Sequence, residues 1–207
     1  NVAVGDEAGT ALTTGDANTF VGFEAGKTVS TSSENTAFGY QALKLNAAGD
    51  GNTAIGVKAM DANVTGDRNV AVGSDALGAM NPDSNADMYN TAVGYNAGAA
   101  VTTGTLNTLI GGQSGDALTT GAQNTALGYG SLGSSTTASH NTALGREAGT
   151  NITTGASNTV VGTDAGQNIT TGTFNIIMGH DSGDALTTGG RNVVLGYSAL
   201  TADTLGS

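Results

Sequence analysis

An asparagine followed by a short apolar run and a glycine recurs along the whole chain, at Asn1, Asn18, Asn35, Asn52, Asn69, Asn90, Asn107, Asn124, Asn141, Asn158, Asn175 and Asn192. Successive copies lie 17 residues apart except between Asn69 and Asn90, where the spacing is 21. A period of this size kept over an entire chain is the signature of a solenoid, whose units bury their apolar side chains against their neighbours in the stack. Residues 1–207 therefore read as a single repeat domain of twelve rungs without a linker, the fifth copy being expanded over 69–89.

The consensus is N-T-A-V-G-x-x-A-G-x-x-L-T-T-G-x-x. Its second to fourth places are apolar or β-branched, as in Asn141-Thr142-Ala143-Leu144-Gly145 and Asn158-Thr159-Val160-Val161-Gly162. A run this short, bounded by glycine in a unit too glycine-rich for a stable helix, predicts a strand. The fold class is thus all-β, a parallel β-solenoid or β-roll with rungs of about 17 residues. Side chains alternate between the two faces of a strand, yet both sets are apolar here, which predicts burial on both sides. One side is the interior of the solenoid, and the other calls for a partner.

The asparagines form a column whose amides can hydrogen-bond along the stack, a structural ladder rather than a site. Gly5, Gly22, Gly39, Gly56, Gly73, Gly94, Gly111, Gly128, Gly145, Gly162, Gly179 and Gly196 fill the fifth place in every copy and read as corners with positive φ or close backbone approach. The eighth place is always Ala or Ser, as a tight interior requires, and glycine at the fifteenth closes a second turn after Thr-Thr. The ninth and twelfth places exchange one apolar side chain. Gly9, Gly26, Gly98, Gly115, Gly149, Gly166 and Gly183 go with Leu12, Val29, Val101, Leu118, Ile152, Ile169 and Leu186, whereas Leu43, Met60, Leu132 and Leu200 go with Asn46, Asn63, Ser135 and Asp203. Only the fifth copy carries both, Leu77 and Met80. One interior slot per rung that either place can fill accounts for this, because a packed interior tolerates neither a void nor an excess.

Low aromatic content and 34 glycines argue against an ordinary packed core, which regular stacking would replace. The net charge of −11 disfavours nucleic acid and anionic membrane surfaces as partners. The chain has no cysteine, which removes disulfides and thiolate chemistry, and no apolar run long enough to span a membrane. It starts on the first residue of a repeat and stops at Ser207, so open ends that template stacking on further repeats or subunits are expected.

Asn-Thr-Ala-Val-Gly followed by a small residue and a Thr-Thr-Gly turn, as in Asn90 to Gly104 and Asn124 to Leu132, resembles the repeats of bacteriophage tail fibres. It is similar also to the head repeats of trimeric autotransporter adhesins. The resemblance covers the whole chain and implies a left-handed parallel β-roll with three chains packed around one axis, a homotrimer.

Several side chains are candidates for more than structure. Tyr40, Tyr95, Tyr129 and Tyr197 occupy the sixth place together with Phe23 and His180, where a row of aromatics can stack on sugar rings or else shield the corner and the interchain seam. In the expanded copy Asp83, Asn85 and Asp87 repeat the oxygen spacing that opens a calcium loop, but the sixth-position glycine is replaced by Met88 and the closing glutamate is missing, so a solvated loop is the better expectation. Glu7, Glu24, Asp75, Glu147, Asp164 and Asp181 form an interrupted acidic column at the seventh place, expected to be a solvated edge that blocks lateral aggregation. His140 and His180 fall at different places, so no repeated catalytic or metal geometry is expected, and neither enzymatic activity nor a cofactor. The expected function is a structural segment of an extracellular fibre, on a virion or a bacterial surface, presenting an element that attaches to a surface glycan or receptor. The alternatives are an end-to-end self-polymerising filament and a ligand-binding solenoid using Thr pairs such as Thr102-Thr103, Thr119-Thr120 and Thr153-Thr154 on ice or glycan.

Overall fold

The computed structural model describes residues 1–202 and is all-β, without a helix. Among these residues no helix is long and apolar enough to cross a membrane. One strand of three residues per repeat, from Val2–Val4 in the first rung to Val193–Leu195 in the twelfth, builds a single twelve-stranded parallel sheet in sequence order. The register is the repeat itself: Thr125 faces Thr142 and Thr108, Ala126 faces Ala143 and Leu109, and across the expanded copy Val70 faces Thr91. A β-solenoid of about 17 residues per turn follows.

The third place of each repeat, the middle residue of its strand, points inward. Phe20, Ala37, Leu109, Ala126, Val160 and Ile177 are fully buried there, and the eighth-place Ala and Ser residues from Ala25 to Ser182 are buried with them. The second and fourth places point outward. Within one chain the strand is therefore buried on one side only: Phe38, Leu127 and Leu144 remain 57%, 42% and 42% exposed. Outside the strands the backbone also bonds along the axis, as in Gly128 N to Ile110 O, Glu147 N to Tyr129 O and Leu132 N to Ala148 O. Each corner is thus tied to the rungs beside it.

The asparagine column lies buried inside this stack. Asn124 Oδ1 accepts from Asn141 N at 3.1 Å, and its Nδ2 donates to Ala138 O at 2.9 Å, fourteen residues on in the same rung. The amide closes each loop and links it to the next. Asn69 departs from this pattern, since the expansion displaces its fourteenth-residue acceptor: its Nδ2 turns to Asp67 O at 2.8 Å while keeping the bond to Asn52 Oδ1 at 3.1 Å.

The shared slot is also visible. The ninth place keeps positive φ, between 49° and 65°, whether it is Gly, Leu or Met. A Cβ on Gly149 would lie 2.8 Å from Ile152 Cδ1, so the twelfth-place side chain fills the space a ninth-place one would enter. Where the ninth is Leu43 or Met60, the twelfth-place Asn46 and Asn63 are buried and hydrogen-bond to the carbonyls of Gly49 and Gly66, and Asn63 Nδ2 also bonds Asn46 Oδ1 at 2.9 Å. Asp203, the twelfth-place residue of the last copy, lies outside the described residues. In the fifth copy Leu77 and Met80 are both buried, joined by Met88 from the expansion.

Gly149→Leu alone is expected to lower stability by about 1–3 kcal/mol through overpacking. Adding Ile152→Asn should recover most of that loss, because the new amide would reach the Gly155 carbonyl as Asn46 reaches that of Gly49. Urea unfolding of the two variants checks this, and a double variant no better than the single one would contradict the shared slot.

Candidate functional site

The outer face of the twelve-stranded sheet carries a repeating apolar surface. Its fourth-place column runs Val4, Val21, Phe38, Ile55, Val72, Val93, Ile110, Leu127, Leu144, Val161, Met178 and Leu195 without a polar interruption. Beside it runs the second-place column, mostly Thr with Val and Ile. Parallel sheets are normally covered on both faces, and contiguous exposed apolar surface on this scale marks an interaction face.

Past the corner glycine stands the sixth place. Tyr40, Tyr95, Tyr129 and Tyr197 are exposed there, as the sequence suggests for a surface row, but they do not form one continuous stack. Tyr40 stacks on Phe23 with ring centroids 5.4 Å apart, and Tyr197 on His180 at the same separation. Tyr129 leans over Gly112, where an added Cβ would meet its Cδ2 at 3.5 Å, so Tyr95 and Tyr129 are separated by that rung.

The seventh place differs from a purely solvated edge. Every residue in it holds φ between 48° and 63°, and Glu24 is buried, held by Lys27, Lys44 and the Gln41 amide. Those hydrogen bonds, Lys27 first, pull the Glu24 carboxyl down to about 2, and the Glu24 and Glu7 carboxylates raise the Lys27 ammonium. Lys27 joins Glu7 to Glu24, and Arg146 joins Glu147 to Asp164. Lys27, at the tenth place, and Arg146, at the sixth, each share a rung with one carboxylate and reach the other in the adjacent rung, and that second contact is visible only when the sequence is read down its columns. Burial pushes the Asp164 carboxyl above its ordinary value in spite of Arg146.

The residues of the calcium-like spacing in the expanded copy turn to separate surroundings. Asp87 is ion-paired with Arg68 and accepts from the Tyr89 hydroxyl at 3.0 Å, Asn85 Nδ2 donates to Ala48 O at 3.2 Å, and Asp83 is exposed. Asp87 lies in a two-residue strand, Ala86–Asp87, paired in parallel with Gly66–Asp67, and that pairing fixes its direction. His140 is exposed at the seventeenth place, far along the chain from His180.

On another face, Ser134, Asn151, Thr153, Asn168, Thr170 and Asp184 line an open groove of about 630 Å³. Its polar groups already bond to each other and to the backbone. Thr153 and Thr170 hydroxyls donate to Thr170 O and Thr187 O at 3.2 Å, and Asn168 Nδ2 reaches Asp184 O and Oδ1. The same axial bonding engages Thr102, Thr119 and Thr136, which weakens the reading of the first Thr of each pair as a free hydroxyl array for ice.

No family model, curated protein or solved structure matches the chain.

Proposed function

We propose that this chain is a structural segment of an extracellular fibre, of the phage tail-fibre or bacterial surface-adhesin kind, that spaces or presents an attachment element at a virion or cell surface. It assembles with copies of itself as a homotrimer and performs no catalysis. The observation that carries the reading is the uninterrupted apolar column of twelve fourth-place residues on the outside of a parallel sheet. An isolated chain would leave that column in water, and a partner repeating at the same rung spacing covers it from end to end. A second copy is the simplest partner with that spacing. The axial ladders give the stiffness a spacer needs, and the exposed tyrosines supply contacts to a glycan or receptor.

Light scattering coupled to size exclusion tests the assembly. The chain should elute with three chain masses, and Leu127→Asp with Leu144→Asp should convert it to one chain mass with its β-sheet circular dichroism unchanged. A stable monomer of the unaltered chain would remove the trimer.

A further inference from the structure

Asp164 and Asp181 occupy the seventh place of consecutive rungs and are held directly above one another by the backbone bond from Asp181 N to Thr163 O, both at positive φ, 55° and 52°. Elsewhere in this column a protein cation stands between such neighbours, as Lys27 does between Glu7 and Glu24. Of these two carboxylates Arg146 reaches Asp164 alone, on Oδ2, and what lies beside Asp181 is the His180 imidazole, its Nδ1 2.9 Å from Asp181 Oδ2. One potential ligand atom from each of Asp164, His180 and Asp181 lies within 4.8 Å of the others.

A separate observation concerns Asp164 Oδ1. It is buried and has no hydrogen-bond partner, and it is the one side-chain nitrogen or oxygen in that state among the described residues. A carboxylate oxygen removed from water without a donor is costly, and an ion is one of the few groups that account for such an atom. The His180 ring is steadied by its stack on Tyr197, so the imidazole is positioned before any ion arrives.

We propose that Asp164, His180 and Asp181 bind a divalent transition-metal cation of the zinc class. One imidazole nitrogen and two carboxylate oxygens suit zinc, cobalt or nickel, with water completing the shell, whereas calcium prefers six to eight oxygens. The cation supplies the charge that a lysine supplies elsewhere in the column and gives Asp164 Oδ1 its missing partner. It would staple the tenth rung to the eleventh.

Zinc(II) is titrated into the tag-free chain by calorimetry, with cobalt(II) absorption as a second reading. One saturable ion per chain is expected. His180→Gln and Asp164→Asn should each weaken it by at least about tenfold with the circular dichroism spectrum unchanged. His140→Gln should leave it unaltered, and a large excess of calcium should not displace it. Absence of saturable binding, binding indifferent to His180→Gln, equal loss with His140→Gln, or displacement by calcium would each overturn the site.

Discussion

Replacing Asn124 with alanine is expected to lower the stability of the solenoid by roughly 3–5 kcal/mol. The amide makes four bonds: it accepts from Asn141 N and Nδ2, and it donates to Asn107 Oδ1 and Ala138 O. Alanine leaves the Asn141 main-chain N–H and the Ala138 carbonyl buried with no partner, at about 1–3 kcal/mol each, and adds a small void. The damage should be local at first, because solenoid rungs are coupled to their neighbours alone. Hydrogen exchange at the Asn141 amide should therefore accelerate far more than exchange in the first three rungs. A loss below about 1 kcal/mol in urea unfolding would mean that the column is decoration and not a ladder.

Gly128→Ala should be still more damaging, with a loss of at least about 4 kcal/mol or failure to fold. Its φ is +141°, and a Cβ there would sit closer than 3.0 Å to the carbonyl oxygen of Gly145 in the next rung. That neighbour is backbone, fixed by the Gly145 N to Leu127 O bond, and cannot withdraw without opening the stack. Gly51→Ala provides the control. Gly51 also has positive φ, +65°, but an added Cβ would meet only Arg68 Cγ at 3.6 Å, and Ala17 and Ser157 hold the equivalent place in other rungs. It should cost about 1 kcal/mol, the strain of the conformation without the collision. Thermal unfolding of the two variants side by side separates backbone strain from close approach, and equal effects would refute the collision.

The period of 17 made most of this architecture legible before any coordinates, because identical spacing fixes both the register and the columns. The Asn column, the fifth-place corners and the traded slot between Gly149 and Ile152 could all be read in this way. The left-handed conformations at the seventh and seventeenth places could not. They are taken up by Glu24, Leu106 and Phe174, residues whose own preferences give no hint of it, because stacking imposes the conformation on every rung. The site residues show the same limit. Asp83, Asn85 and Asp87 attracted attention through spacing along the chain, yet in a stacked fold the relevant neighbour of a side chain is one period away. Asp164 and Asp181 are 17 residues apart, as are Tyr197 and His180. Clusters of this kind emerge only when the sequence is wrapped at its period and the sixth and seventh columns are read together.

In the proposed assembly the outer face of the sheet is the interface between copies of this chain. Electron micrographs of the purified protein, averaged in end-on and side views, test it most directly. The expected image is a rod with threefold symmetry end-on, the three sheets facing the axis and the tyrosine corners outside. A population of single thin rods, with the Phe38, Leu127 and Leu144 face open to solvent, would contradict it.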